Sequence, residues 1–170
     1  MKEQEEIKTK FLRTQKALSL KPSLGLGTRT SVSRITNGLS CEIREGDYVY
    51  HTDMPSQVGG SDSGPTPGVL GRAALGSCLA IGYMMWASKM DVPIDSLEVH
   101  ISASYDDGGL FETSDSPPGY TVVEYLVKVK SPASKEEIEQ VLDQGDKHSP
   151  YLDVFSRAQH CIRKVEFETN

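Results

Sequence analysis

The chain has 170 residues, 37% of them hydrophobic, with a formal net charge of −6 and a pI near 5.2. This suits one domain that buries a core without disulfide or metal staples, and it leaves no basic stripe for nucleic-acid binding. The opening Met1-Lys2-Glu3-Gln4-Glu5-Glu6 is too charged for a secretory leader, so the chain is expected in the cytoplasm, with Cys41, Cys78 and Cys161 as thiols rather than a disulfide framework.

Residues 3–20 alternate acidic and basic positions, with Ile7, Phe11 and Leu18 on one side and Glu6 four places before Lys10, which predicts a short amphipathic helix. Pro22, Gly25 and Gly27 end it. Residues 1–27 therefore read as an N-terminal helix and linker, a loosely packed appendage with no assigned chemistry, and residues 28–170 as the main domain. Between Thr28 and Asp53 the pattern has a period of two. Thr30–Ile35 and Leu39–Ile43 flank Thr36-Asn37-Gly38, a hairpin turn because Asn and Gly tolerate positive φ, and Tyr48–His51 follows a second turn at Glu45-Gly46-Asp47. Three short antiparallel strands are expected, then a mobile connector over residues 55–64, whose glycines lack the spacing and lysine of a phosphate-binding loop.

The next stretch, Gly64 to Ala87, is the longest nearly uncharged run, and the helix it predicts extends to about Met90. Thr66 is placed to cap a helix and Pro67 to begin it, and Val92-Pro93 bars its continuation. Apolar or small residues occupy almost every side, so this helix is expected in the middle of a core; Arg72 and the many small residues argue against a membrane span. Leu97–Tyr105 alternates as a strand, 106–119 reads as a loop, and Tyr120–Lys130 is a strongly β-prone run that should pair with the strand before it. Ser134 with Glu136 and Glu137 starts an amphipathic helix with Ile138, Val141 and Leu142 inward and Lys147-His148 at its end. Ser149-Pro150 breaks it, a short helix covers Tyr151–Arg157, and Cys161–Phe167 is expected as the last strand. The element order reads as α+β.

Cys78 lies in the middle of the central helix, where a cysteine is more often a small hydrophobe than a nucleophile. Its place about 16 Å along the axis from Pro67 is beyond the reach of the helix dipole, and Arg72 points to another side, so an activating cation must come from another segment or subunit. The four histidines have no metal-ligand spacing, so neither metal nor cofactor is expected.

Gly64-Pro65-Thr66-Pro67 leading to Ala73-Ala74-Leu75-Gly76-Ser77-Cys78, the strand start Ser96-Leu97-Glu98-Val99, Lys130-Ser131-Pro132-Ala133-Ser134 and Lys147-His148-Ser149-Pro150 together resemble the osmotically inducible protein C / organic hydroperoxide resistance (OsmC/Ohr) family, over roughly residues 28–168. The resemblance implies an α+β fold with antiparallel sheets wrapped round a central buried helix, in an intertwined homodimer. Gly71, Ala74, Gly76 and Gly82 then read as surfaces where the second subunit's helix comes close. It also implies a peroxidatic cysteine on that helix, a resolving cysteine after the penultimate helix, and an arginine and a glutamate that hold thiolate and peroxide.

Carried over, the peroxidatic cysteine is Cys78, and the arginine is Arg34, before the Asn37-Gly38 turn, with Arg29 as the other candidate. The glutamate falls on Gly68 and the resolving cysteine on Ser149, so this chain departs from the pattern at both. Serine cannot close an intramolecular disulfide, and Arg34 loses its partner carboxylate. Cys41 and Cys161 are candidate substitutes, each in an expected strand where a buried structural thiol is the commoner case. His148 is either a local cation or base for Cys78 or a histidine in the field of a helix C-terminus. The functional expectation is a one-cysteine peroxidase that reduces organic hydroperoxides with an external thiol or dithiol. The alternative is a non-catalytic protein holding an apolar small molecule or thiol ligand at the dimer interface. Neither nucleic acid nor membrane is expected as a partner.

Overall fold

A computed structural model describes residues 2–168. In chain order the helices and strands are α1 (Lys2–Leu20), β1 (Val32–Asn37), β2 (Ser40–Glu45), β3 (Tyr48–Thr52), α2 (Pro67–Lys89), β4 (Ser96–Ser104), α3 (Asp107–Leu110), β5 (Val122–Lys130), α4 (Lys135–Lys147) and α5 (Pro150–Ser156). The fold is α+β, with an antiparallel sheet β1-β2-β3, an antiparallel pair β4-β5 and a buried core helix, α2.

The alternation in β4 and β5 produces a ladder without a bulge, from Ser96 opposite Lys130 to Ser104 opposite Val122. Leu97, Val99 and Ile101 of β4 and Val123 and Val127 of β5 pack on Leu75, Leu79 and Tyr83 of α2, all fully buried. Gly76 lets this contact close, because a Cβ there would stand 3.2 Å from Ile101 Cγ1. The resemblance places a second subunit's helix against Gly76; within the chain it faces β4 instead. Farther along α2, Ala87 joins Val92, Ile94 and Val141 of α4 in a second buried cluster.

By length and composition alone α2 is apolar enough to cross a bilayer. It packs instead against α1, β4, α4 and α5. The expectation of burial on every side is met on one face only: within the chain Ile81 remains 61% exposed, and Met85 and Val69 are exposed too.

The ends of α2 differ from the sequence expectation. Thr66 is the N-cap, but its side chain makes no capping hydrogen bond; its carbonyl accepts from the amides of Val69 and Leu70. The C-terminus stops before Pro93 because Asp91 takes a left-handed φ of 60°, and the amides of Asp91 and Val92 donate to the carbonyls of Ser88 and Ala87. This is a Schellman cap with aspartate where glycine is usual. It also anchors α1, since Lys8 pairs with the Asp91 carboxylate and Gln4 Nε2 donates to Val92 O at 3.0 Å. The expected loose appendage is therefore docked on α2, running antiparallel to it, with Phe11 edge-on to Trp86 at 5.4 Å between centroids.

Residues 55–64, expected as a mobile connector, are tied down by Asp53. Its buried carboxylate accepts from the hydroxyls of Ser61 (2.5 Å) and Ser63 (2.6 Å), from both their amides and from the amide of Met54 (2.8 Å). The Ser61 and Ser63 hydroxyls, helped by these amides, hold the Asp53 carboxyl well below the usual carboxylate range. A lowered folded pKa gives stability that is present above the unfolded value of about 3.9 and lost as pH falls toward the folded value. Asp53→Asn should therefore be less stable than the parent at pH 7, with the gap narrowing below about pH 4. Urea unfolding of both proteins at pH 7 and pH 3 measures this, and a gap that does not change with pH would show the carboxylate charge to be irrelevant.

Two strand expectations are corrected. The first hairpin turns at Gly38-Leu39 rather than Asn37-Gly38: Asn37 pairs with Ser40 across a bulge, and Gly38 supplies the positive φ. Cys161–Phe167 is not a strand. Among the described residues it pairs with no strand of either sheet, and Ile162, Val165 and Phe167 are exposed, Phe167 at 88%. Propensity without a partner edge makes no ladder, so Cys161 is an exposed thiol rather than a buried structural one.

Candidate functional site

Cys78 reaches the surface of α2 on the side away from Val99 and Ile101, and there it meets the corner between α4 and α5. The corner is built locally. Ser134 and Glu137 form a complete capping box at the start of α4, and Ser149 caps α5, its Oγ accepting from Leu152 N at 3.2 Å. The end of α4 is brought onto α2 by Gly145, which lies against the ring of Tyr83, and by Asp146. One oxygen of Asp146 accepts from Tyr83 Oη at 2.5 Å and the other from Tyr125 Oη at 2.9 Å. Burial, then the bond to Asp146, raises the Tyr83 phenol and pushes Tyr125 up to about 12. Both tyrosines thus stay neutral donors at physiological pH and fix the helix end that carries His148 and Ser149.

The result is a contact across 71 residues of sequence: the sulfur of Cys78, half-buried, is 3.4 Å from Ser149 Oγ. Both residues line a cavity of about 830 Å³. Its floor is Ile81, Gly82, Met85 and Trp86 of α2, its end wall His148-Ser149-Pro150, and its far wall Ile7, Phe11 and Leu18 of α1, with Lys10, Thr14 and Gln15 at the rim. The His148 ring lies against Trp86, 4.6 Å between centroids and tilted by 33°, and the Lys89 ammonium lies 4.1 Å from the Trp86 ring centroid and 5.0 Å from that of Phe11. His148 Nδ1 is 2.9 Å from Gln144 O. A carbonyl only accepts, so Nδ1 carries the hydrogen and neutral His148 keeps its Nε2 lone pair free. The helix-terminus role considered for His148 is thus filled at Nδ1 without removing the ring from the cavity.

Of the expected site residues, Cys78, His148 and Ser149 share this cavity. Arg34 does not join them within the chain. It sits on β1, whose residues are all exposed, opposite Glu42 in the ladder, and its charge helps hold the Glu42 carboxyl below its usual range, behind the larger effect of the Arg44 hydrogen bond. Arg72 is occupied elsewhere, donating to Tyr120 Oη at 3.1 Å, while Tyr120 donates to Gly68 O at 2.9 Å. A Cβ on Gly68 would stand 3.4 Å from both Arg72 Nη1 and Tyr120 Oη, so this pair borders the position where the family resemblance puts a glutamate. Cys41 lies on β2 and Cys161 in the terminal segment; all three cysteines are free. Among the described residues no three His, Cys, Asp or Glu side chains converge on a common point.

Sequence reading misses the wall supplied by α1. The stripe Ile7, Phe11, Leu18 signals an amphipathic face, but nothing in it names the surface it would cover.

A family model described as OsmC-like protein matches residues 60–162. Among solved structures the chain is similar to an OsmC-like protein from Mycoplasma pneumoniae, at 16% identity and a TM-score of 0.67, covering 76% of this chain and 88% of that one. It is also similar to an organic hydroperoxide resistance protein OsmC, described as a predicted redox protein, from Legionella pneumophila, at 15% identity and a TM-score of 0.58, covering 76% of this chain and 90% of that one. The organic hydroperoxide resistance protein OhrB of Bacillus subtilis aligns at 18% identity with a TM-score of 0.51, over 75% of this chain and 90% of that one. At these identities the likeness is one of fold. No curated protein matches the chain in sequence.

Proposed function

Because this chain belongs to the OsmC-like protein family, we propose that it is a one-cysteine peroxidase in which Cys78 reduces organic hydroperoxides and an external thiol resets it. The observation that carries this reading is the half-buried Cys78 sulfur, 3.4 Å from Ser149 Oγ on the wall of an apolar cavity. The deprotonated sulfur attacks the terminal oxygen of the hydroperoxide. An S–O bond forms as the O–O bond breaks, and the leaving alkoxide takes a proton and departs as the alcohol. Sulfur loses two electrons and becomes sulfenic acid; the hydroperoxide gains them.

Ser149 donates its hydroxyl hydrogen bond toward the reacting sulfur, and His148, with Nε2 free, handles the proton. No second cysteine stands against Cys78 among the described residues. An external thiol therefore condenses with the sulfenic acid, releasing water and leaving a mixed disulfide, and a second thiol frees Cys78 by exchange. Small thiols of this kind are plentiful in a reducing cytoplasm, where we assign the protein.

The reading requires a homodimer, since Arg34 is held away from Cys78 of its own chain and a second copy must supply it. What supports this is exposed apolar surface on three separate parts of the chain: Val32, Ile35 and Tyr48 on the meander, Ile81 and Met85 on α2, and the unpaired Ile162 to Phe167 segment. Arg34 then steadies the thiolate and the leaving oxygen.

Titration with cumene hydroperoxide, followed by mass spectrometry of the Cys78 peptide, tests the assignment. The expected result is stoichiometric sulfenic acid on Cys78 and no peroxide consumption by Cys78→Ala. If Cys78 stays reduced under excess peroxide while the protein is folded, the chain is a binding protein whose apolar cavity holds a small molecule without turning it over.

A further inference from the structure

The groove between the end of α2 and α4 is built from two matching sets of side chains. Trp86, Lys89 and the C-cap residue Met90 on α2, and Gln140, Asp143 and Gln144 on α4, each follow the i, i+3, i+4 spacing that puts three side chains on one helix face. The two faces line one cavity of about 410 Å³. Only Trp86 is shared with the Cys78 cavity. Ala87 and Val141, the neighbours of Trp86 and Gln140, are fully buried in one apolar cluster, which holds the two faces at a fixed separation.

The polar groups of this groove have no partners within the described residues. Lys89 and Asp143 form no ion pair with each other or with any other side chain. Elsewhere the chain pairs opposite charges one helical turn apart, Lys10 with Glu6 and Lys135 with Glu139. The Gln140 and Gln144 side-chain amides make no hydrogen bond; Gln144 uses only its backbone carbonyl, on His148 Nδ1. The Lys89 ammonium is nevertheless held in place against the Trp86 and Phe11 rings, and a cation fixed in this way loses little freedom on meeting an anion.

We propose that this groove is a binding site for a free amino acid with an apolar side chain, with Lys89 taking the α-carboxylate, Asp143 the α-ammonium, and Trp86 and Met90 the side chain. The site stands apart from the chemistry of Cys78 and does not depend on it. One cation and one carboxylate on facing helices match a ligand that carries both charges, because an anion alone would meet Asp143 unfavourably and a cation alone would meet Lys89 so. The volume lies at the small end for ligand sites and suits a molecule on the order of ten non-hydrogen atoms. The apolar lining is an indole ring and a thioether, so the side chain that fits is apolar too. The two glutamine amides, each both donor and acceptor, serve the remaining hydrogen bonds of either charged group.

Trp86, the single tryptophan of the chain, reports occupancy, and L-leucine is the probe. Titration of the full-length protein at low ionic strength should give a saturable change in Trp86 fluorescence, with a Kd on the order of 1 mM. Isocaproate, which keeps only the carboxylate, and isoamylamine, which keeps only the ammonium, should each bind about threefold more weakly. Asp143→Asn should weaken leucine about threefold without weakening isocaproate, and Lys89→Gln should weaken leucine to a similar extent without weakening isoamylamine. Lys89→Gln also removes the cation over the Trp86 ring, so the midpoint of its titration is read rather than the amplitude. Circular dichroism checks both folds, and the comparison of the three ligands on the parent stands without any variant. No saturation by leucine in the parent, leucine binding no tighter than its two single-charge relatives, or full leucine affinity in a folded Asp143→Asn overturns the proposal.

Discussion

Gly145→Ala is expected to destabilise the protein by about 2 kcal/mol, although alanine is the better helix former. In an exposed helix the substitution would gain about 1 kcal/mol. Here a Cβ on residue 145 would stand 2.3 Å from Tyr83 Cδ1 and 2.7 Å from Cε1, and the ring cannot swing aside. Tyr83 is fully buried among Leu75, Leu79 and the β4-β5 face, and its hydroxyl is tied to Asp146, the very next residue of α4. The clash must be relieved by moving α4 away from α2, and overpacking of this kind typically costs about 1–3 kcal/mol. Urea denaturation gives the value. A variant as stable as the parent would mean that α2 and α4 approach less closely than described. The same displacement would separate Ser149 from Cys78, so Cys78 oxidation by hydroperoxide should slow together with the loss of stability.

Gly145 also marks what a sequence can hide. Inside an amphipathic helix pattern a lone glycine reads only as a small cost. Its reason is Tyr83, on a different helix, and no local pattern couples the two. The elements that are legible are those whose cause is local: the β4 and β5 alternation, the Ser134-Glu137 capping box, the Gly46 turn and the Pro67 start of α2. Each depends on residues within one turn or one ladder step. Cys161–Phe167 misleads for the converse reason, because strand propensity is realised only against an edge, and among the described residues this segment pairs with none of the open edges of β1, β3, β4 and β5.

The site divides along the same line. Cys78 is visible as a thiol in an apolar helix, but its pairing with Ser149 comes only through the family resemblance, since the contact is non-local. Arg34, His148 and the α1 wall show three different outcomes of that kind of reasoning. His148 is in the cavity, with a second duty at Gln144 O. Arg34 is on an exposed strand and meets Cys78 only if another copy brings it. The α1 stripe is visible and its target is not, because an amphipathic face specifies that something must be covered without specifying what.

The largest functional effect should come from Ser149→Cys. Cys78 Sγ and Ser149 Oγ are already 3.4 Å apart, so a sulfur at the end of the residue 149 side chain needs only a small rotation to reach bonding distance. In the parent, one equivalent of cumene hydroperoxide should leave Cys78 as sulfenic acid, which adds one oxygen to the protein mass. In the variant the introduced thiol attacks that sulfenic acid, water leaves, and a disulfide closes between Cys78 and position 149, with a mass two hydrogens below the reduced form. Turnover should then respond to dithiols far more than to monothiols, because the bond to be opened is an intramolecular disulfide. The substitution also removes the hydroxyl that caps α5, and loss of such a cap costs about 1 kcal/mol. That is small beside a change from an open to a closed redox cycle, so a folded variant that accumulates sulfenic acid without closing the disulfide would mean that residues 78 and 149 do not meet in solution as described.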